Sequence, residues 1–284
     1  MTEKKDFLEI RDFSQSQLQE IFALAHQLRH LDATDSQRLS GKLLACVFEK
    51  PSTRTRVSFE AAIKRLGGDA IILHDSEMQM KRGETIADTA RVLSANADAI
   101  MMRTSAPERL QEMAENATVP VINGLTDASH PCQVMADMLT FTQMHSPLKD
   151  ATIAWSGDCN NMLASWIEAA ETLEFSLRIA CPDALNTMRD KVDAVNARGG
   201  DIVMSDDPYH AVKGADCIVT DTWVSMGDDE SNRHNLLMPY QVNAKLMQHA
   251  GKDAVFMHCL PAHRGEEVTA DVIDGPRSIV WQEM

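Results

Sequence analysis

The chain alternates short apolar runs with longer stretches of helical periodicity along most of its length. Short, nearly continuous apolar runs are typical of strands that are buried on both faces of a parallel sheet. The pattern predicts strands at Leu43–Phe48, Ala70–Leu73, Ala99–Met102, Val119–Ile122, Thr152–Trp155, Leu177–Ala180, Asp201–Met204, Cys217–Thr220 and Val255–Met257.

Segments with apolar residues three and four positions apart separate these runs and predict helices. The first follows Ser14–Gln17, which has the spacing of a capping box. Further helices are predicted at Val57–Leu66, at about Cys132–Met144, and at Met162–Leu173, Ala184–Ala197 and Pro239–Ala250. Alternating strands and helices predict an α/β protein. Because Ser146–Pro147 interrupts the alternation, we expect two doubly wound parallel-sheet domains, residues 1–146 and 147–284.

Composition narrows the classes of function. A length of 284 residues suits two domains, and a net charge of -15 argues against general nucleic-acid binding, although an acidic protein can hold a local basic pocket. The N-terminus does not read as a signal peptide, and no apolar run approaches membrane-spanning length. The six cysteines are spread without CxxC pairing, which favours reduced, buried thiols in the cytoplasm over disulfides or a zinc site.

The turn between the first strand and the next helix is rich in anion-binding groups. Phe48–Arg56 places hydroxyls and guanidiniums where a helix begins, and a helix N-terminus attracts anions through its unpaired N–H groups and its dipole. Ser52, Thr53 and Thr55 add neutral donors, and Arg54 adds a planar cationic fork that suits phosphate oxygens. Taken alone, the segment is equally compatible with a capped helix that carries two solvated arginines.

Other polar clusters also follow predicted strands. They are Arg103–Thr104, His130–Gln133, Asn160–Asn161, Asp221 and His258–Pro261. Ligands of open α/β sheets bind beyond the carboxyl ends of the strands, so we expect these groups to share one crevice, with the active site in the cleft between the two domains. Each cluster alone also has an ordinary structural explanation, such as a turn, a helix cap or a solvated side chain.

Four motifs occur in a specific order: Ser-Thr-Arg-Thr-Arg at 52–56, Met-Arg-Thr at 102–104, His-Pro-Cys-Gln at 130–133 and His-Cys-Leu-Pro at 258–261. Together they resemble the aspartate/ornithine carbamoyltransferase family, from the first helix to about residue 281. Asp221–Gly227 resembles the family's ornithine-specific loop. The resemblance implies direct transfer of the carbamoyl group of carbamoyl phosphate to the side-chain amine of L-ornithine, giving L-citrulline and phosphate. It implies no cofactor and no metal, and a homotrimer with active sites at subunit interfaces.

The resemblance also implies a role for each matching residue. Arg103, His130 and Cys259 would be catalytic. Carbamoyl phosphate would be bound by Ser52, Thr53, Arg54, Thr55, Arg103, His130, Pro131, Cys132, Gln133, Cys259 and Leu260, together with Gln79 from a neighbouring subunit. Ornithine would be bound by Asn161, Asp221, Ser225 and Met226.

Two departures and three alternatives stay open at this point. Cys159 stands where the family often has glycine, and the family's C-terminal continuation, with a further arginine and a return helix, does not follow Met284. We expect reduced activity or stability from the second departure.

One alternative is a carbamoyltransferase for another acceptor, such as putrescine, acetylornithine or aspartate. Another is a catalytically weak ligand-binding protein of the same fold. A dinucleotide-dependent oxidoreductase is remote, because no GxGxxG motif follows a strand.

Overall fold

The computed structural model describes residues 4–29, 37–224 and 230–283 of the chain. It divides into two compact units, Met1–Cys132 and Gln133–Met284. The division therefore falls near the start of a helix, and the domain limits 1–146 and 147–284 remain a prediction.

Unit 1 is a four-stranded parallel sheet with the strand order β2-β1-β3-β4. Its strands are β1 (Leu43–Phe48), β2 (Asp69–His74), β3 (Ala99–Arg103) and β4 (Val121–Leu125), and its helices are α1 (Gln15–Arg29), α2 (Thr53–Arg65), α3 (Ile86–Asn96) and α4 (Pro107–Asn116). Alternate residues of β1 enter two separate apolar clusters, since successive side chains of a strand point to opposite faces. Both faces of this sheet are therefore buried, as the apolar run of β1 predicts.

Unit 2 is a five-stranded parallel sheet with the order β7-β6-β5-β8-β9. Helix α5 (Pro131–Met144) begins just before the unit. The remaining elements are β5 (Thr152–Ser156), α6 (Asn161–Leu173), β6 (Ser176–Ala180), α7 (Arg189–Ala197), β7 (Ile202–Ser205), α8 (Pro208–Val212), β8 (Cys217–Thr220), α9 (Glu230–Leu237), α10 (Ala244–Met247), β9 (Val255–His258) and α11 (Ala270–Ile273). The α/β class with two parallel-sheet domains is confirmed. None of the helices in the described ranges combines the length and the apolarity needed to span a membrane.

The predicted elements are largely confirmed, including the capping box of α1. There, the Ser14 N–H donates to Gln17 Oε1 (3.0 Å), and the Gln17 N–H donates to Ser14 Oγ (3.4 Å). Strand β4 begins later than predicted, at Val121, after Pro120, which has no N–H to donate to a ladder.

Two predicted helices are wrong as continuous elements. The segment Ala184–Ala197 splits into a short 3₁₀ turn and α7, because Asn186 Oδ1 accepts from the Met188 N–H (3.2 Å) and so offers the backbone a competing turn. The segment Pro239–Ala250 splits into a 3₁₀ turn and α10, where Asn243 caps a new helix through the Leu246 N–H (3.0 Å).

Candidate active site

The N-terminus of α2 forms an anion-binding turn at the carboxyl end of β1. Ser52 is the N-cap, and its Oγ accepts from the Thr55 N–H (3.2 Å). Thr53, Arg54 and Thr55 then make up the first helical turn, with the Arg54 side chain exposed. Backbone N–H groups at this end and the Arg54 guanidinium favour a negatively charged ligand.

Arg103 brings a second guanidinium to the same turn. It is the last residue of β3, and the parallel register places it beside Phe48 at the end of β1. Its Nη1 donates to Thr55 Oγ1 (3.0 Å). The predicted proximity of the strand-end arginine and the Ser52–Thr55 turn is therefore present in unit 1.

Glu49, which was not among the predicted site residues, connects the loops that carry these two motifs. Its carboxylate accepts from Thr104 Oγ1 (2.5 Å) and from Arg109 Nε (3.0 Å), and its N–H donates to the Arg103 carbonyl (2.9 Å). The carboxylate also raises the pKa of Arg109. Glu49 lies within the Phe48–Arg56 segment, and this position was its one signal in the sequence.

His130 is a neutral imidazole beside two cations. Its removal from solvent, followed by the charges of Arg103 and Arg54, lowers the pKa of His130 to about 3. All three groups therefore lie close enough to interact. A neutral imidazole can donate a hydrogen bond to a polarised carbonyl oxygen without adding a formal charge.

The residues after His130 begin α5. Pro131 is buried, and the Cys132 Sγ donates to the Asn123 carbonyl (3.3 Å). Burial raises the pKa of Cys132 to about 12, so this thiol is protonated at neutral pH. The cis peptide bond of the described residues joins Leu260 to Pro261 rather than His130 to Pro131.

Gln79 lies on an exposed 3₁₀ turn, Gln79–Arg82, which ends at Gly83 with a left-handed φ of 101°. Glycine adopts this φ without a steric penalty. The turn is accessible to another molecule, and the predicted contact of Gln79 with a neighbouring subunit remains a prediction.

In unit 2, Asp221 is the centre of a polar cluster at the carboxyl ends of β8, β5 and β9. It is mostly buried, and its Oδ2 accepts from Asn160 Nδ2 (2.7 Å). Its Oδ1 accepts from the Thr222 N–H (2.8 Å) and from Cys259 Sγ (3.0 Å). Asn160 also caps α6 through the N–H groups of Met162 and Leu163, and α6 begins at Asn161. The structure thus brings the predicted Asp221 and Cys259 together and places Asn161 next to their partner Asn160.

Cys259 is a protonated thiol. Burial, followed by the charge of Asp221, raises the pKa of Cys259 well above its ordinary value. Its neighbour Leu260 has a positive φ of 56° and donates its N–H to His258 Nδ1 (2.9 Å). His258 Nδ1 is thereby an acceptor, so its proton is on Nε2, which faces Glu267 Oε1 (3.1 Å).

A carboxyl pair that the sequence did not predict lies near this cluster. Asp137 and Glu283 are both buried, and burial is the largest cause that raises the pKa of each. They also interact with each other, so a proton is held between them at neutral pH. The Gln133 Nε2 donates to Asp137 Oδ1 (2.8 Å), and Glu283 Oε1 accepts from the His258 N–H (3.1 Å). The predicted Gln133 is therefore held by a carboxyl group one turn further along α5.

Arg233 of α9 fixes two strand-end segments. Its Nη2 donates to Asp158 Oδ2 (2.5 Å), and its Nε donates to the Trp223 carbonyl (3.0 Å). Trp223 lies two residues before Ser225, and the predicted ornithine ligands Ser225 and Met226 lie outside the described residues.

Within the part of the chain that the structure describes, two groups of side chains could hold a metal ion. Asp221, His258 and Cys259 place one donor atom each within 4.8 Å of one another, and so do His263, Glu266 and Glu267. The first set offers oxygen, nitrogen and sulfur, which suits zinc chemically. However, its thiol is protonated, and its His258 Nδ1 already accepts from Leu260.

Taken separately, the two units have opposite chemistry. Unit 1 presents guanidiniums and a helix N-terminus, and unit 2 presents a buried carboxylate with amide and thiol donors. Fold and side chains together define a two-domain α/β protein with a cationic turn at a helix N-terminus in unit 1 and a polar cluster around a buried carboxylate in unit 2.

Family models agree with this division. The aspartate/ornithine carbamoyltransferase carbamoyl-P binding domain matches residues 5–143, and the Asp/Orn binding domain of the same family matches residues 149–284. The chain belongs to the aspartate/ornithine carbamoyltransferase family.

Individual relatives align with this chain over nearly its whole length. It is 56% identical to an ornithine carbamoyltransferase of Rhodopseudomonas palustris over 283 residues, covering 98% of this chain and 91% of the relative. It is 53% identical to an ornithine carbamoyltransferase of Brucella abortus, with 98% of this chain and 90% of the relative covered. Among solved structures, ornithine carbamoyltransferase from Pyrococcus furiosus matches with a TM-score of 0.93 and 43% identity, covering 98% of this chain and 92% of that one.

Proposed function

We propose that this protein is an ornithine carbamoyltransferase, which transfers the carbamoyl group of carbamoyl phosphate to the side-chain amine of L-ornithine and releases L-citrulline and phosphate. The observation that carries the proposal is the Arg54–Arg103–His130 group at the α2 N-terminus, in a chain that shares more than half of its residues with curated ornithine carbamoyltransferases. The reaction belongs to arginine metabolism, and we place the protein in the cytoplasm.

Unit 1 binds carbamoyl phosphate in this proposal. Ser52, Thr53, Arg54 and Thr55 hold the phosphate oxygens through hydroxyl, guanidinium and backbone donors. Arg103 spans the phosphate and the carbonyl oxygen. His130 donates from its neutral ring to that same carbonyl oxygen, where negative charge develops as the amine attacks.

Unit 2 binds ornithine. Asp221 pairs with an ammonium group, and Asn161, Ser225 and Met226 fix the α-amino acid head group. The side-chain amine of ornithine has to react as the neutral base, because an ammonium group has no lone pair. Its nitrogen then forms the new C–N bond, the C–O bond to phosphate breaks, and phosphate leaves with the bonding electrons and takes the proton that the amine nitrogen loses.

Cys259 assists the reacting amine without becoming acylated. Its raised pKa keeps the thiol protonated, and a thiol is a far weaker nucleophile than a thiolate. Leu260 supports the same loop through its hydrogen bond to His258. Pro131, Cys132 and Gln133 complete the carbamoyl-binding segment at the start of α5.

We also propose a homotrimer in which Gln79 of each subunit reaches the carbamoyl phosphate of a neighbour. Its exposed turn supports this arrangement. Light scattering coupled to size exclusion measures the assembly, and a purely monomeric, active protein would remove Gln79 from the site.

A panel of acceptors tests the activity itself. Purified protein is incubated with carbamoyl phosphate and, separately, with L-ornithine, putrescine, acetylornithine or aspartate, and the carbamoylated product is identified by mass spectrometry. We expect citrulline from ornithine at a kcat/KM at least about a hundredfold above that of the other acceptors. Preferential carbamoylation of another acceptor, or binding of both substrates without product, would overturn the assignment.

A further inference from the structure

Two cysteines that the reaction does not use lie at the carboxyl ends of neighbouring strands. Strands β5 and β6 are paired in register up to Ser156 and Ala180. Cys181 directly follows β6, and Cys159 comes three residues after β5, so the parallel sheet brings the two side chains to one edge. Their sulfur atoms are 3.0 Å apart, and neither cysteine forms a disulfide.

Hydrogen-bond donors surround the Cys159 sulfur. The Cys181 sulfur lies within hydrogen-bond distance of it, and the backbone N–H groups of Thr187 and Met188, just before α7 begins at Arg189, donate to it. The Thr187 hydroxyl also binds the Cys159 carbonyl (3.4 Å). The hydrogen bond with Cys181 and these backbone donors lower the pKa of Cys159, against the opposing effects of burial and of the Asp158 charge, so the thiolate of Cys159 is more accessible than that of an ordinary buried cysteine.

The two thiols are therefore unequal. The hydrogen bond between them lowers the pKa of Cys159 and raises the pKa of Cys181. All six cysteines lie within the described residues, and each of the other four has a raised pKa with burial as its largest cause. Cys159 is also the more accessible of the pair, with 8% of its surface exposed against 1% for Cys181.

We propose that Cys159 and Cys181 form an oxidisable dithiol, in which the Cys159 sulfur attacks a hydroperoxide and the Cys181 sulfur then closes a disulfide. The Cys159 thiolate takes the terminal peroxide oxygen, the O–O bond breaks, and the leaving alkoxide or hydroxide takes a proton. The Cys181 sulfur then attacks the Cys159 sulfenic acid, forming the S–S bond and releasing water. Two thiols and one peroxide thus give one disulfide, one water and one alcohol, or a second water when the oxidant is hydrogen peroxide.

The disulfide affects the loop that carries Asn160. Closing the bond draws the sulfur atoms together by about 1 Å from their present separation. The loop Gly157–Asn161 is short, so a shift of Cys159 moves its neighbour Asn160. Asn160 both caps α6 and donates a hydrogen bond to Asp221. Displacing Cys159 therefore disturbs Asp221. The expected loss of ornithine binding rests on the function proposed above, whereas formation of the disulfide does not.

The test oxidises the full-length protein with hydrogen peroxide under native conditions. Remaining thiols are alkylated, and the digested protein is mapped by mass spectrometry. We expect a linked peptide that joins Cys159 to Cys181, lost on treatment with dithiothreitol and missing from Cys159→Ala and Cys181→Ala. Cys217→Ala is the matched control, since it removes another buried thiol from the same sheet and should leave the linkage intact.

A trapping experiment identifies the attacking sulfur. In Cys181→Ala the disulfide cannot close, so dimedone should label a sulfenic acid at Cys159. Three results would each overturn the proposal. They are sulfinic acid at Cys159 of the wild type without a linked peptide, a disulfide between Cys159 and Cys259, and oxidation of Cys259 while Cys159 and Cys181 stay reduced.

Kinetics then test the connection to the loop. The oxidised protein should show a rise of roughly tenfold or more in the KM for ornithine, reversed by dithiothreitol, with an unchanged KM for carbamoyl phosphate. A stoichiometric disulfide with unaltered ornithine kinetics would refute the effect on Asp221. If the reduced protein makes no citrulline, the proposed function fails, while the peptide map still decides whether the dithiol forms.

Discussion

Replacing Asp221 with alanine is expected to weaken ornithine binding while leaving carbamoyl phosphate binding largely intact. Only 8% of Asp221 is exposed, and its carboxylate is held by Asn160, Thr222 and Cys259. A charge-assisted hydrogen bond is worth about 1.5–3 kcal/mol. This range corresponds to an increase of about tenfold to a little over a hundredfold in the Kd for ornithine.

The same substitution also affects stability, so folding has to be measured alongside binding. Removing the carboxylate leaves the Asn160 amide without its acceptor at 2.7 Å, which costs about 1–3 kcal/mol when the group stays buried. Asn160 still caps α6 through its other side-chain atom. Asp221→Asn is the matched control, because it keeps the shape and one acceptor oxygen but removes the charge.

Isothermal titration of each ligand separates the effects, with circular dichroism and urea unfolding to establish the folded fraction. Asp221→Asn should lose ornithine affinity with a smaller loss of stability than Asp221→Ala. An equal loss of affinity for ornithine and carbamoyl phosphate in a folded variant would refute the assignment of Asp221 to the amino acid. So would full ornithine affinity in Asp221→Asn.

Three further predictions concern other parts of the site. Arg54→Ala should weaken carbamoyl phosphate binding at least about tenfold, with poor rescue by lysine, which lacks the planar fork; unchanged affinity by titration would remove Arg54 from the site. Cys259→Ser should lower kcat without abolishing turnover, and mass spectrometry of enzyme quenched with carbamoyl phosphate alone should find no adduct; a carbamoylated Cys259 that ornithine discharges would favour a two-step mechanism. Burial raises the pKa of Asp137 to about 7, so this carboxyl group takes up a proton on folding. The raised pKa of Asp137 contributes fully to the free energy of unfolding below the ordinary carboxyl pKa of about 4. This contribution is lost as the pH rises through about 7. Asp137→Asn should therefore reduce that loss of unfolding free energy between pH 5 and 8; an identical pH dependence in both proteins, measured by urea unfolding, would contradict the raised pKa.

Local chemistry explains why the strands and the anion-binding turn are predictable from sequence. The apolar run of β1 depends on neighbours within a few residues and is found at the predicted position. The predicted helix after it is also present, although Ser52 caps it and it begins at Thr53 rather than at Val57. Parallel strands also align their carboxyl ends, which correctly predicts that Arg103 meets the α2 turn.

Contacts between distant segments leave no such local signal. The Asp137–Glu283 pair joins α5 to a segment near residue 283, and Arg233 joins α9 to Asp158. Neither pair has a periodicity or a spacing that could reveal it. Periodicity also failed where a single side chain decided the local structure. Asn186 and Asn243 each accept a backbone N–H and thereby interrupt a segment whose apolar pattern predicts a continuous helix.

The protonation states of His130 and Cys259 follow first from burial, which disfavours the charged form of each group, and then from neighbouring charges of opposite sign. Arg103 and Arg54 add to the cost of a positive charge, so His130 stays neutral, whereas Asp221 adds to the cost of a negative charge, so Cys259 stays a thiol. A neutral imidazole can donate a hydrogen bond to the carbonyl oxygen, whose negative charge increases during the reaction. A charged imidazolium would instead compete for the phosphate dianion. A protonated thiol beside a carboxylate leaves the amine as the strongest nucleophile available. Both arrangements favour direct attack of ornithine on carbamoyl phosphate over transfer through the protein.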